Sequence, residues 1–244
     1  SGGGNTSATG VLMKALLVLS LMTSCLIFSI NSHAAVSVGG TRLVFHGDEK
    51  EASITVSNTD KGIPVLIQSW VDEGENSKAK APFMITPPLF RLEPGQDNTL
   101  RAVFTGANLA QDRESLFWLN IKTIPSVKKN EVQENTLQLA IKKRLKFIYR
   151  PSAVKGLPEE NADKLVWKKI GNQIQVTNPT PFYMNFSVIT VGGKTFKPTL
   201  PEQTYVAPAT ERLFTIPAGA VGNTISWKII NDYGTSGKEF HSKY

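Results

Sequence analysis

The sequence predicts an all-β protein made of two successive units. Runs rich in Val, Ile, Thr and aromatic residues recur along the chain, and each is short and bounded by clusters of Gly, Pro, Asn and Asp. No stretch holds a helical period for more than about three turns. In the second half Pro179, Pro181, Pro198, Pro201, Pro208 and Pro217 interrupt the chain too often for long helices.

In the first unit, strands are expected at Val36 to Phe45, Ala52 to Ser57, Val65 to Val71, Phe83 to Thr86, Thr99 to Phe104, Leu116 to Ile124 and Thr136 to Tyr149. Gly47-Asp48, Asn58 to Gly62, Asp72 to Gly74 and Glu93-Pro94-Gly95 supply the turns, and Asn108 to Ser115 has the length and composition of one short helix. Seven strands in about 115 residues suggest an immunoglobulin-like sandwich. Arg150-Pro151 closes this unit. Ser152 to Lys164, with Gly156, Pro158 and a run of charges, reads as the connection. The second unit is expected to place strands at Leu165 to Lys169, Gln173 to Asn178, Met184 to Val191, Lys194 to Phe196, Arg212 to Ile216, Thr224 to Ile230 and near Lys238 to His241. The expected domains are therefore 35–151 and 152–244, after an N-terminal extension and signal peptide over 1–34.

That leader rests on Lys14, the apolar run from Ala15 to Ile30, and Ser32-His33-Ala34, whose small residues suit cleavage after Ala34. A membrane anchor needs about 18 to 20 uninterrupted apolar residues, more than this run offers, so no stable membrane insertion is expected. The single cysteine, Cys25, lies in the leader, so the body of the chain forms no internal disulfide. With Lys14 removed, the net charge is one unit below the +7 of the full sequence. In an exported protein with dispersed charge this reads as a solvated cationic surface, and no nucleic-acid partner is expected.

The segment Asn135 to Ile141, followed by Lys142-Lys143-Arg144, carries the functional question. Leu137, Leu139 and Ile141 alternate with small or polar residues, so a β-strand sends all three side chains to one face. They either fill the chain's own core or are lent to a protein that lacks them. Catalytic patterns are absent. His33, His46 and His241 stand outside any metal-ligand spacing, and there is no phosphate loop, nucleophile elbow or Cys/His pair. Asp112 and Glu114 are near in sequence, but such pairs usually end as solvated or ion-paired charges. No enzyme and no cofactor or metal is expected. A two-domain adhesion or carbohydrate-binding module remains the alternative, with Trp70, Trp118, Trp167 or Trp227 as pocket walls.

The segments Thr41-Arg42, Ile85 to Phe90, Gln111 to Trp118, Pro125-Ser126, Glu134 to Ile141, Ile148 to Pro151, Asn178 to Tyr183 and Ile230 to Gly234 run through the chain in order. Together they resemble the PapD-like periplasmic pilus chaperones, nearest to those of type 1 and S fimbriae. The resemblance implies two immunoglobulin-like sandwiches in an L or boomerang arrangement and a periplasmic location. It implies pilus subunits, pilins and adhesin, and an outer-membrane usher as partners. A subunit lacking its last strand leaves an apolar groove and unpaired backbone groups, and a donor strand bearing Leu137, Leu139 and Ile141 would fill them. By the same resemblance Arg42 and Lys146 anchor the subunit's C-terminal carboxylate, and Glu114, Arg150 and Asp232 form an inter-domain ion network. The short segment Ser126 to Thr136 and the lack of a cysteine pair resemble the short-loop subgroup. Lys146 is even-numbered while the three apolar positions are odd. A regular strand sends it to the opposite face, so either a bulge near Lys142 to Arg144 intervenes or the lysine and the apolar row serve different sides.

Overall fold

The protein is described by a computed structural model covering residues 10–14, 17, 36–77, 79–126 and 139–244. Two compact units are present, 1–34 and 35–244. In the first, residues 10–14 are helical. Cys25 and the expected cleavage site after Ala34 lie outside the described residues.

The second unit is a succession of β-strands with three single 3-10 turns at Pro158–Glu160, Ala162–Lys164 and Pro201–Gln203. Strands β1 (Val36–Val38), β3 (Glu51–Asn58), β7 (Asp97–Phe104) and β5 (Phe83–Thr86) form one sheet in the order β1-β3-β7-β5. Facing it is a sheet of β2 (Arg42–His46), β9 (Ile141–Arg150), β8 (Ser115–Pro125), β4 (Val65–Asp72) and β6 (Leu89–Leu92), in the order β2-β9-β8-β4-β6. The expected single strand from Val36 to Phe45 is thus two. Gly39 and Gly40 break it, and the chain crosses from one sheet to the other, so that β1 pairs antiparallel with β3 while β2 pairs parallel with β9. Side-chain alternation explains the fold of this lobe. Val65, Ile67, Ser69 and Val71 of β4 turn inward and Leu66, Gln68, Trp70 and Asp72 outward. The core they enter is aromatic: Phe83 lies with its ring centre 4.6 Å from Phe147, 5.2 Å from Phe117 and 5.3 Å from Phe45.

Asn108 to Ser115 is not helical. Glu114 there is spent on contacts with distant strands, and no helical backbone is formed between Thr105 and Glu114. Strand β6, which the expectations lacked, follows Pro87-Pro88 and pairs with β4.

The second lobe stacks a sheet of β10 (Val166–Ile170), β11 (Gln173–Asn178) and β15 (Thr210–Thr215) on one of β13 (Lys194–Phe196), β12 (Met184–Val191), β16 (Thr224–Ile229) and β17 (Phe240–Lys243), with β14 (Tyr205–Val206) also paired to β12. Trp167 and Trp227 sit in its core with ring centres 5.4 Å apart, and the Trp227 indole N–H donates to the Ala162 carbonyl at 3.0 Å. Two of the four tryptophans are therefore packing residues.

Candidate functional site

Strand β9 organises everything between the two lobes. Its ladder with β8 runs without a register shift from Ser115 opposite Tyr149 to Thr123 opposite Ile141. No bulge intervenes near Lys142 to Arg144, so parity decides which side each residue serves. Phe147 and Leu145 turn into the first lobe's core, the former fully buried and the latter packed at its margin. Lys143 follows on that face, donating through Nζ to the Val36 carbonyl at 3.0 Å, and Ile141 lies beyond it past the end of the core. The strand expected from Thr136 to Tyr149 begins only at Ile141 among the described residues, where its pairing with β8 ends at Thr123; Ile141 is 52% exposed, and Leu139, before the strand, is 63% exposed. Leu137 lies outside the described residues. Lys146 projects from the opposite face, toward the second lobe.

Arg42 and Lys146 are direct neighbours across the parallel β2–β9 ladder. In a parallel pair, residues in register share a face, which brings two cations together although they are about 100 positions apart in sequence. Lys146 Nζ donates to Asn185 Oδ1 at 2.6 Å and to Thr204 Oγ1 at 2.7 Å, and lies 5.1 Å from the centre of the Tyr205 ring. The Thr204 hydroxyl donates in turn to the Pro201 carbonyl at 2.6 Å, which leaves its lone pair for the lysine. Burial beside Arg42 holds Lys146 down at about 7. Burial likewise lowers Arg42, partly offset by Asp232. Arg42 Nε and Nη1 are buried without a hydrogen-bond partner. Two cations thus share a cleft whose neutral walls take two of the lysine's donors and leave two arginine donors unused. An anion with two acceptor oxygens matches that arrangement.

Behind this pair lies an ion cluster. Arg150, at the end of β9, donates through Nε to Glu114 Oε2 at 2.7 Å and through Nη1 and Nη2 to Asp232 Oδ2 and Oδ1 at 2.7 and 2.8 Å. Glu114 Oε1 accepts from the Tyr183 backbone N–H at 2.7 Å, and the Glu114 N–H donates to the Pro181 carbonyl at 2.9 Å. The Asn178-Pro179-Thr180-Pro181 turn makes those contacts possible. Buried Asn178 donates to the Phe182 and Val206 carbonyls at 2.7 and 3.0 Å and accepts from the Thr180 N–H and hydroxyl, fixing Pro181 and Tyr183 against the first lobe. Burial raises Glu114 against the pull of Arg150. For Arg150, burial opposes the charge, but the hydrogen bonds and charges of Asp232 and Glu114 outweigh it and raise the pKa. Asp112, the other half of the acid pair weighed above, is exposed and meets only Arg113 at 3.4 Å.

Asn185, Thr204 and Tyr205 were not singled out by sequence reasoning, and no local pattern marks them. They come from two separate strands and a 3-10 turn of the second lobe, and only its docking against β9 brings them to Lys146. No group of three or more His, Cys, Asp or Glu with metal-binding geometry occurs among the described residues, and no helix among them is long and apolar enough to cross a membrane.

Two immunoglobulin-like lobes, joined through the ion cluster of Glu114, Arg150 and Asp232, thus enclose a cationic cleft beside a strand whose first residue, Ile141, is exposed. Residues 35–155 match the family model of the pili and flagellar-assembly chaperone PapD N-terminal domain, and residues 160–241 that of the pili assembly chaperone PapD C-terminal domain. The chain belongs to the PapD-like pilus chaperones. It is 39% identical over 227 residues to the probable fimbrial chaperone SfmC of Escherichia coli K12, covering 92% of this chain and 96% of that protein. It is 38% identical over 215 residues to the chaperone protein FimC of the same strain, covering 88% and 86%. Among solved structures, the Salmonella enterica SafA pilin complex with the SafB chaperone matches with a TM-score of 0.76 at 39% identity, covering 86% of this chain and 96% of that chain. The E. coli chaperone DraB matches with a TM-score of 0.73 at 39% identity, covering 85% and 95%.

Proposed function

We propose that this chain is a periplasmic chaperone that captures pilus subunits by donor-strand complementation and hands them to an outer-membrane usher. The lobe of residues 35–151 lends the strand bearing Leu137, Leu139 and Ile141, and the lobe of 152–244 closes the cleft behind it. Arg42 and Lys146 take the subunit's C-terminal carboxylate. Glu114, Arg150 and Asp232 hold the lobes in the orientation that keeps the cleft formed. Capture is a binding event, and the chain carries out no catalytic step.

The observation that supports this reading is the exposed apolar start of β9 and of the residues just before it. Phe147 and Leu145 pack in the core, while Ile141 on the same face and Leu139, just before the strand, are more than half exposed. Burying each of those two side chains in a client groove is worth roughly 1.5 to 3 kcal/mol, and main-chain pairing supplies affinity that tolerates different client sequences. The adhesion or carbohydrate-binding alternative is not favoured, since the relatives are named fimbrial chaperones and two of its four candidate tryptophans, Trp167 and Trp227, are core residues.

The test is purification of the tagged full chain from the periplasm of its source bacterium, with mass spectrometry of what accompanies it. A pilus subunit in the complex, absent when Arg42→Ala replaces the wild type, is the expected result. Recovery of the chain in the cytoplasm, or without any pilus subunit, overturns the reading.

A further inference from the structure

Tyr233 is the most exposed large apolar side chain among the described residues, at 91% of its full surface. A solitary exposed aromatic is ordinary on a mobile loop. This one is not on a loose loop. Asn231 Oδ1 accepts from the backbone N–H groups of both Tyr233 and Thr235 at 3.0 Å, the Asn231 N–H donates to the Thr235 carbonyl at 2.9 Å, and the Gly234 N–H donates to the Asn231 carbonyl at 3.0 Å. The two residues flanking Tyr233 are fastened to the first lobe. Asp232 is gripped by both terminal nitrogens of Arg150, and Gly234, at φ +82°, packs so closely on Thr41 that any Cβ there would collide with the threonine hydroxyl. Thr41 immediately precedes Arg42, and the Asp232 charge acts on Arg42. The loop is therefore held at the cleft by a buried ion pair, a left-handed glycine and a side-chain-capped turn, and it displays its one large side chain to solvent.

We propose that Tyr233 is a client-contact residue, its ring packing against the stretch of a pilus subunit that leads into the C-terminal carboxylate. The inference rests on the reading of Arg42 and Lys146 as that carboxylate's anchor. Gly234 packs on Thr41, the neighbour of Arg42, so a client chain end seated at Arg42 lies next to the 231–235 loop that carries Tyr233. A tyrosine already held by its backbone has only two side-chain torsions to fix on binding and offers a broad apolar ring with one polar tip. Such residues supply contact area at small entropic cost and are enriched among the anchors of protein interfaces. Tyr233 adds a contact from the second lobe that does not depend on charge, so it discriminates clients by the side chains next to their terminus.

The experiment uses the full chain and the pilus subunit that co-purifies with it, the subunit being isolated and returned to wild type, Tyr233→Ala, Tyr233→Phe, Tyr233→Trp and Arg42→Ala. Tyr233→Ala is expected to weaken the complex about tenfold or more, with Tyr233→Phe close to wild type and the melting temperature of both unchanged. The indole of Tyr233→Trp is expected to shift its emission to shorter wavelength when the subunit binds, a readout independent of any change in stability. Affinity within twofold of wild type for Tyr233→Ala, or an unmoved Tyr233→Trp emission, overturns the proposal while loss of binding by Arg42→Ala leaves the anchor standing. If Arg42→Ala also binds normally, the anchor reading itself fails. Conversion of a self-associated form to monomer by Tyr233→Ala, with subunit affinity unchanged, assigns the ring to contact between copies of this chain and also overturns the proposal.

Discussion

Lys146 of the first lobe and Asn185 of the second are joined by a 2.6 Å hydrogen bond from Nζ to Oδ1. The lysine head is thus positioned by neutral groups of the far lobe while its nearest charged neighbour in the β ladder is another cation, Arg42. The lysine thus has no acid among its hydrogen-bond partners.

Client capture is expected to depend on pH through Lys146. Burial and Arg42 hold its folded pKa near 7, below the ordinary 10.5, so above about pH 7 the free protein carries a neutral amine there. A client carboxylate favours the ammonium, so binding takes up a proton, and affinity falls as pH rises above 7 by up to about tenfold per unit. Calorimetry in buffers of different ionisation heat should register the uptake near pH 8. Lys146→Arg, charged throughout, should flatten the profile. A pH-independent affinity between 6 and 9 would contradict the assignment.

The same shift has a consequence for the free protein. A lysine whose folded pKa lies below its unfolded value contributes stability that is present above about pH 10.5 and lost as pH falls through 7. Lys146→Met should therefore be at least as stable as wild type at pH 6, while Arg42→Ala and Lys146→Ala keep the fold and lose client capture. Circular dichroism and thermal melts at pH 6 and pH 9, run beside subunit pull-downs, separate the two effects.

Asp232→Ala should lower stability by roughly 2 to 4 kcal/mol, somewhat less than the loss of a partner from a fully buried pair, because Glu114 still compensates Arg150 and Asp232 keeps some solvent contact. The melting temperature reads this directly. An unchanged value would remove the cluster from any architectural role.

Leu139→Glu should leave the melting temperature of the free protein nearly unchanged, since the side chain is 63% exposed, and should abolish the subunit complex by driving an unpaired charge into an apolar groove. Ile141→Glu should behave alike. A variant that unfolds would return these residues to the chain's own core, and one that still binds a pilus subunit would end the donor-strand assignment.

Much of the fold was legible because strand patterning is local. The alternation in β4, β7, β8 and β12 is written in neighbouring residues, and the expected strands there agree with the observed ones to within two residues at most ends. Errors fell where the deciding contact is distant. The Val36 to Phe45 run has an uninterrupted strand composition apart from its two glycines, and only the pairing of its halves with β3 and β9 in different sheets separates them. Asn108 to Ser115 has the residues of a helix, but Glu114 is held by Arg150 and Tyr183.

The sequence alone determined the all-β class and, through its ordered motifs, the family. These depend on which residues stand near each other in the chain. Tertiary structure decided that Arg42 lies in register with Lys146, that Lys146 and Ile141 serve opposite faces of one regular strand, and that Asn185 and Thr204 complete the cleft. Those outcomes depend on ladder register and on the docking of two lobes, where side chains separated by many tens of residues exchange hydrogen bonds, and no local pattern encodes such a meeting.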